Sequence, residues 1–77
     1  MSSKTEFIKG QRVIYHSGIG YDLGRFHGEN QNQYEHYDVI IETGMFRGQT
    51  MSLPKSNIIP ETKENLQSMF DKYGKVI

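Results

Sequence analysis

Cysteine, tryptophan and alanine are all missing from this chain of 77 residues, and proline occurs only twice. Without cysteine there is no disulfide framework, no thiolate nucleophile and no cysteine-based zinc site, so ordinary packing has to hold the fold. That lack fits an intracellular setting, and a cytoplasmic location is expected. Long apolar runs are missing too. The chain opens on the polar run Met1-Ser2-Ser3-Lys4-Thr5-Glu6, and no stretch reaches the length of a signal core or a membrane span, so no membrane association is expected. Nor is there a surplus of one charge: nine Lys and Arg balance nine Asp and Glu, which removes the basic excess of a general nucleic-acid binder. A chain this short buries roughly 60% of its unfolded surface, which leaves room for one domain over residues 1–77 and excludes a second.

The charges that are present are sorted along the chain. Residues 1–28 carry Lys4, Lys9, Arg12 and Arg25 against Glu6 and Asp22, whereas residues 29–45 carry only Glu29, Glu35, Asp38 and Glu42. Basic residues return with Arg47, Lys55 and Lys63 against Glu61. Such sorting either steers a partner or dissolves into an alternating solvated surface.

Eleven Val and Ile, nine aromatics and only three Leu make a strand-forming composition. Strands are expected at residues 11–16, 23–27, 37–42, 46–53 and 58–60. Between them lie a Gly-rich loop at 17–22, a polar loop tip at 29–33, a Thr43-Gly44 hairpin turn and a 3₁₀ turn at Pro54-Lys55-Ser56-Asn57. Gly24 and Gly28 read as bend or bulge positions in a coiled second strand. Val13, Tyr15, Tyr37, Val39, Ile41, Met51, Leu53 and Ile58 are the expected core. From Thr62 the period changes: Leu66, Met69, Phe70 and Tyr73 form one apolar stripe of a helix over 62–73, with Phe70 at its centre. Thr62 is its expected N-cap, Gly74 its left-handed C-terminal residue, and Lys72 and Lys75 suit its negative end. Docking of this helix on the strands is expected, because so short a helix is marginal alone.

Ser52-Leu53-Pro54-Lys55-Ser56-Asn57-Ile58-Ile59 and Gly10-Gln11-Arg12-Val13 resemble the closing and opening segments of SH3-like small barrels. The resemblance covers residues 10–60 and implies a mainly β fold, a five-stranded SH3-like barrel over about 8–60 with the C-terminal helix packed on it. Peptide-binding SH3 domains use paired tryptophans, which this chain lacks. The opening, with Tyr15, Gly18-Ile19-Gly20 and the late Pro54, is also similar to the RNA-polymerase-interacting domain of CarD-type regulators. Type II dihydrofolate reductase is similar in length and in the run from Arg12 to Gly24, but its glutamine, isoleucine and tyrosine are here Met51-Ser52-Leu53, so catalysis of that kind is not expected.

Chemistry of other kinds finds little support. His16, His27 and His36 with Glu35 and Asp38 have no diagnostic metal-ligand spacing, no serine elbow occurs, and the Gly-rich loop lacks the lysine of a phosphate loop. No metal or cofactor is expected, and Asp38 and Glu42 belong on an outward strand face. The aromatics left over from the core stand out instead, because an aromatic on a polar loop is a typical binding anchor. Tyr21, Arg25, Tyr34, His36, Phe46 and Arg47 are therefore the candidate contacts of a non-enzymatic adaptor or modulator, for which a bacterial or bacteriophage accessory role would fit. The leading expectation for its partner is a protein. The alternative is a nucleic-acid or transcription-complex module, with Arg12, Arg25, Arg47 and Lys55 as a basic stripe and Tyr21 stacking. A third is a small oligomeric enzyme with its site on a symmetry axis. Oligomeric state is left open by the sequence.

Overall fold

The computed structural model describes residues 7–74. Five antiparallel strands form one sheet: β1 (Arg12–His16), β2 (Tyr21–Glu29), β3 (His36–Ile41), β4 (Thr50–Pro54) and β5 (Ile58–Pro60). A single 3₁₀ turn, Lys55–Asn57, joins β4 to β5, and one helix, α1 (Lys63–Tyr73), follows. The strand order is β4-β3-β2-β1-β5, which leaves β4 and β5 as edges. The hydrogen-bonded ring of the expected barrel is thus not closed.

Alternation along the strands sends side chains to two faces. Val13, Phe26, Tyr37, Val39, Ile41, Leu53, Ile58 and Phe7 are buried together on the inner face, with Tyr15 and Met51 packed against them. This set contains the whole expected core and adds Phe7 and Phe26. It draws on both edge strands and no described helix covers it, so the sheet has to curl over its own side chains. Two features serve that curl. A bulge between Phe26 and Gly28 interrupts the β2–β3 register where a bend was expected. Gly24 lies so close to β3 that a Cβ would stand 2.7 Å from the Ile40 carbonyl oxygen.

On the outer face Ile14, Tyr21 and Met69 are buried, flanked by Leu23, Ile59, Leu66 and Tyr73. The helix therefore docks on its own sheet. Thr62 caps it, its Oγ1 accepting the Asn65 N–H at 3.0 Å. Gly74 ends it with φ 87°, and its N–H reaches the Phe70 carbonyl at 2.7 Å, but its ψ of −130° is not the left-handed helical value expected. Lys72 lies in the last turn as expected; Lys75 lies outside the described residues. Tyr73 donates its hydroxyl to the Ser17 carbonyl (2.8 Å) and Tyr21 donates to the Gly74 carbonyl (3.3 Å), pinning the helix end to the β1–β2 loop. Phe70 is not central: it is 56% exposed while Met69 is 9% exposed. Four stripe residues cover too wide an arc for one line of contact, and Leu66, Met69 and Tyr73 take it.

Strand ends also differ from expectation. β2 is longer at both ends. β4 begins at Thr50, because two successive turns, closed by Arg47 N–H to Gly44 and Gln49 N–H to Phe46, take up residues expected in the strand.

Candidate functional site

The β2–β3 loop is built by one asparagine. Asn30 Oδ1 accepts the N–H groups of Asn32 and Gln33, both at 2.8 Å, and Asn30 Nδ2 donates to Asp38 Oδ1 at 2.8 Å. Ser52 Oγ donates to Gln33 Oε1 at 2.8 Å, tying the loop to β4. A polar stretch that would be mobile in isolation is thereby fixed, and it holds Tyr34 outward with 89% of its surface exposed.

Directly after Tyr34 the chain makes its one non-glycine excursion to positive φ among the described residues, at Glu35 (59°). That conformation costs about 1–3 kcal/mol for an ordinary residue and persists only where the surroundings impose it. Here it turns the Glu35 carbonyl to accept the Lys55 N–H at 3.0 Å, which joins the start of β3 to the end of β4. Between the two lies a groove of about 470 Å³, with Tyr34, Glu35, His36 and Tyr37 on one side and Pro54, Lys55 and Ser56 on the other. His36 Nδ1 sits 3.1 Å from the Tyr34 carbonyl oxygen. Tyr37 is buried and braced edge-on by Phe26 and Phe7, with centroids 5.0 and 5.8 Å away. One wall thus carries a braced aromatic ring beside the polar Glu35 and His36, and the other carries a proline, a lysine ammonium and a serine hydroxyl.

Of the residues singled out in the sequence, Tyr34 and His36 come together in this groove. Phe46 and Arg47 lie at the other end of β4, in the 42–49 loop, where Phe46 is 42% exposed beside a more exposed Met45. Arg25 is on the outer face, its Nε 2.6 Å from Glu42 Oε2. Tyr21 is a correction: it is the first residue of β2, 3% exposed beneath α1, and offers no surface to a partner. Following a Gly-rich loop, it looks like a loop aromatic until the helix covers it.

The basic stripe does not assemble either. Arg12 pairs with Glu61 at 3.0 Å and Glu42 at 3.7 Å, so both outer-face arginines meet carboxylates, and Arg47 and Lys55 stand at opposite ends of β4. His16, His27 and His36 fall on three separate elements, and no group of three or more His, Asp or Glu converges among the described residues. No described helix is long and apolar enough to cross a membrane.

Among the described residues two titratable groups are shifted, both away from the groove. Partial burial, and then the Lys72 ammonium, hold His16 below its ordinary value. Burial raises Asp22, opposed by the hydroxyl of Thr43, which donates to Asp22 Oδ1 at 3.1 Å and accepts the Leu23 N–H at 3.0 Å. The sequence assigned Pro54, Ser56 and Glu35 to no contact surface, and Lys55 only to the basic stripe of the nucleic-acid alternative. The Pro-Lys-Ser-Asn run reads as a turn, and its proximity to Tyr34 arises only from β3–β4 pairing.

No known family model, no curated protein and no solved structure matches this chain.

Proposed function

We propose that the chain is a non-enzymatic binding module, of the SH3-like barrel type in its architecture, that recognises a protein partner through the groove between the β2–β3 loop and the 3₁₀ turn. What carries this reading is Tyr34: an almost fully exposed aromatic, held out by a hydrogen-bonded loop, at the lip of a groove whose other ring is braced from behind. An aromatic presented rigidly adds contact area at small entropic cost. The pairing of Arg12 and Arg25 with carboxylates favours a protein over a polyanion.

The test is affinity capture from the source cell lysate, with and without nuclease, comparing the native chain with a Tyr34→Ala, His36→Ala variant. A protein retained after nuclease, and lost by the variant while its melting temperature holds, is the expected result. Capture that disappears with nuclease, or that the variant keeps in full, overturns the proposal.

A further inference from the structure

The sheet has two edges, and they are not equally open. In the β3–β4 ladder Ile41 N–H reaches the Gln49 carbonyl at 2.9 Å and Lys55 N–H reaches the Glu35 carbonyl at 3.0 Å. An antiparallel ladder alternates, so residues 49, 51, 53 and 55 face β3, while Thr50, Ser52 and Pro54 turn their backbone groups away from it. The outer side of β4 thus presents the N–H groups of Thr50 and Ser52 and the carbonyls of Thr50, Ser52 and Pro54. Both Thr50 and Ser52 are exposed, and no residue of Thr-Met-Ser-Leu-Pro carries a charge. Charged side chains are a usual device that keeps an edge from pairing, and β4 has none.

The β5 edge is closed by contrast. It has three residues, and Glu61 N–H reaches the Arg12 carbonyl at 3.2 Å, which by the same alternation turns Ile58 and Pro60 outward. The Ile58 N–H is already donated to the Lys55 carbonyl, and Pro60 has no N–H. One edge can accept a strand and the other offers no donor.

From this we infer that β4 takes an extended segment of the partner protein as an added strand, one of whose aliphatic or aromatic side chains enters the groove at Tyr34, Tyr37 and Pro54. The inference rests on the groove being the partner site. Groove and edge are continuous, because Pro54 is both the last residue of β4 and part of the groove wall. Main-chain pairing supplies affinity and the groove supplies choice of side chain, as in other strand-addition modes. A second copy of this chain fits less well. Two-fold pairing of β4 with itself that uses both outward N–H groups centres on Met51 or on Ser52 and sets Gly48 or Thr50 of the copy opposite Pro54, neither of them the aliphatic or aromatic side chain the groove takes.

The probe is a displayed library of random octapeptides, selected on the full chain, with the winning peptides titrated into ¹⁵N-labelled protein. Expected are amide-exchange protection at Thr50 and Ser52, shifts at Tyr34 and Tyr37, and at least a tenfold loss of affinity with Thr50→Pro. That substitution removes an N–H that makes no ladder bond and keeps the Ser52 hydroxyl that ties the β2–β3 loop to β4. Methylating alternate peptide amides, which leaves the protein untouched, is expected to cause the same loss. Peptides that shift Tyr34 and Tyr37 but leave Thr50 and Ser52 unprotected and tolerate N-methylation overturn strand addition while sparing the groove reading. Selection that yields no peptide shifting the groove residues overturns both. Protection of Thr50 and Ser52 in the free protein, with a dimer by sedimentation, also overturns the inference, because a second copy then occupies the edge.

Discussion

On its inner face the sheet buries eight residues drawn from all five strands and Phe7, whereas on the outer face a single helix seats Met69 over Ile14 and Tyr21 with partly buried neighbours around them. Burial on the inner face is mutual: removing one strand exposes the others. The outer face depends on 11 helical residues that would not hold their shape alone. Hydrogen bonds from two tyrosine hydroxyls to backbone carbonyls reinforce the helix end. The inner face therefore carries the fold's cooperativity, and the outer face adds stability in a separable layer.

The largest expected effect is on the inner side. Ile41 is 1% exposed between β2 and β4, and Ile41→Ala should lower unfolding free energy by about 2–5 kcal/mol. In urea denaturation followed by circular dichroism, an unshifted midpoint would break the distinction between the faces. Next comes Met69→Ala, the centre of the helix contact, expected to cost about 2 kcal/mol, at the low end for a buried side chain because its cluster is small. That loss should be the same at every protein concentration, since the helix docks on its own sheet. A concentration-dependent loss would show that the helix is shared between copies.

Each face also carries one shifted titratable group, and the two have opposite signs. His16, two residues beyond Ile14 and so on the helix side, is harder to protonate when folded. Unfolding then takes up protons below pH 6.5, so stability present above the ordinary value of 6.5 is lost as pH falls below it. Asp22 pairs in register with Tyr15 on the inner side and is harder to ionise when folded. Its contribution is greatest at acid pH and is lost as pH rises above its ordinary 3.8 through the raised folded value. Melting temperatures of His16→Asn and Asp22→Asn across pH 3 to 8 should flatten these slopes in their respective windows; a slope that survives its substitution assigns the effect elsewhere. The smallest effect belongs to Phe70→Ala, which should stay within about 0.5 kcal/mol because the ring is 56% exposed. A loss comparable to that of Met69→Ala would mean that Phe70 is covered in solution.

Much of the inner face was legible beforehand. Alternation at Tyr37, Val39 and Ile41 has one physical meaning in a half-buried strand, and Pro54-Lys55-Ser56-Asn57 stops a strand by its own backbone chemistry. The loop aromatic Tyr34 was legible for a similar reason, since nothing local could bury it. The groove was not, because its two walls are some twenty residues apart in sequence and meet only through the β3–β4 register. Phe46 and Arg47, expected inside the fourth strand, lie instead in the turns before β4, at the end away from Pro54.

What the sequence determined by itself, then, was whatever depends on the nearest few residues: the strand periods, the Thr62 cap, the breaks at glycine and proline, the lack of disulfides. Tertiary structure decided which face of each element became inside. Ile14 and Tyr21 are buried, and Phe70 is not, because a helix 40 or more residues away in the chain settles along Leu66, Met69 and Tyr73, and the area removed from water depends on that contact line and not on any residue's own hydrophobicity. The open edge at β4 was likewise decided in three dimensions, since a strand becomes an edge only when no other strand pairs with its second side.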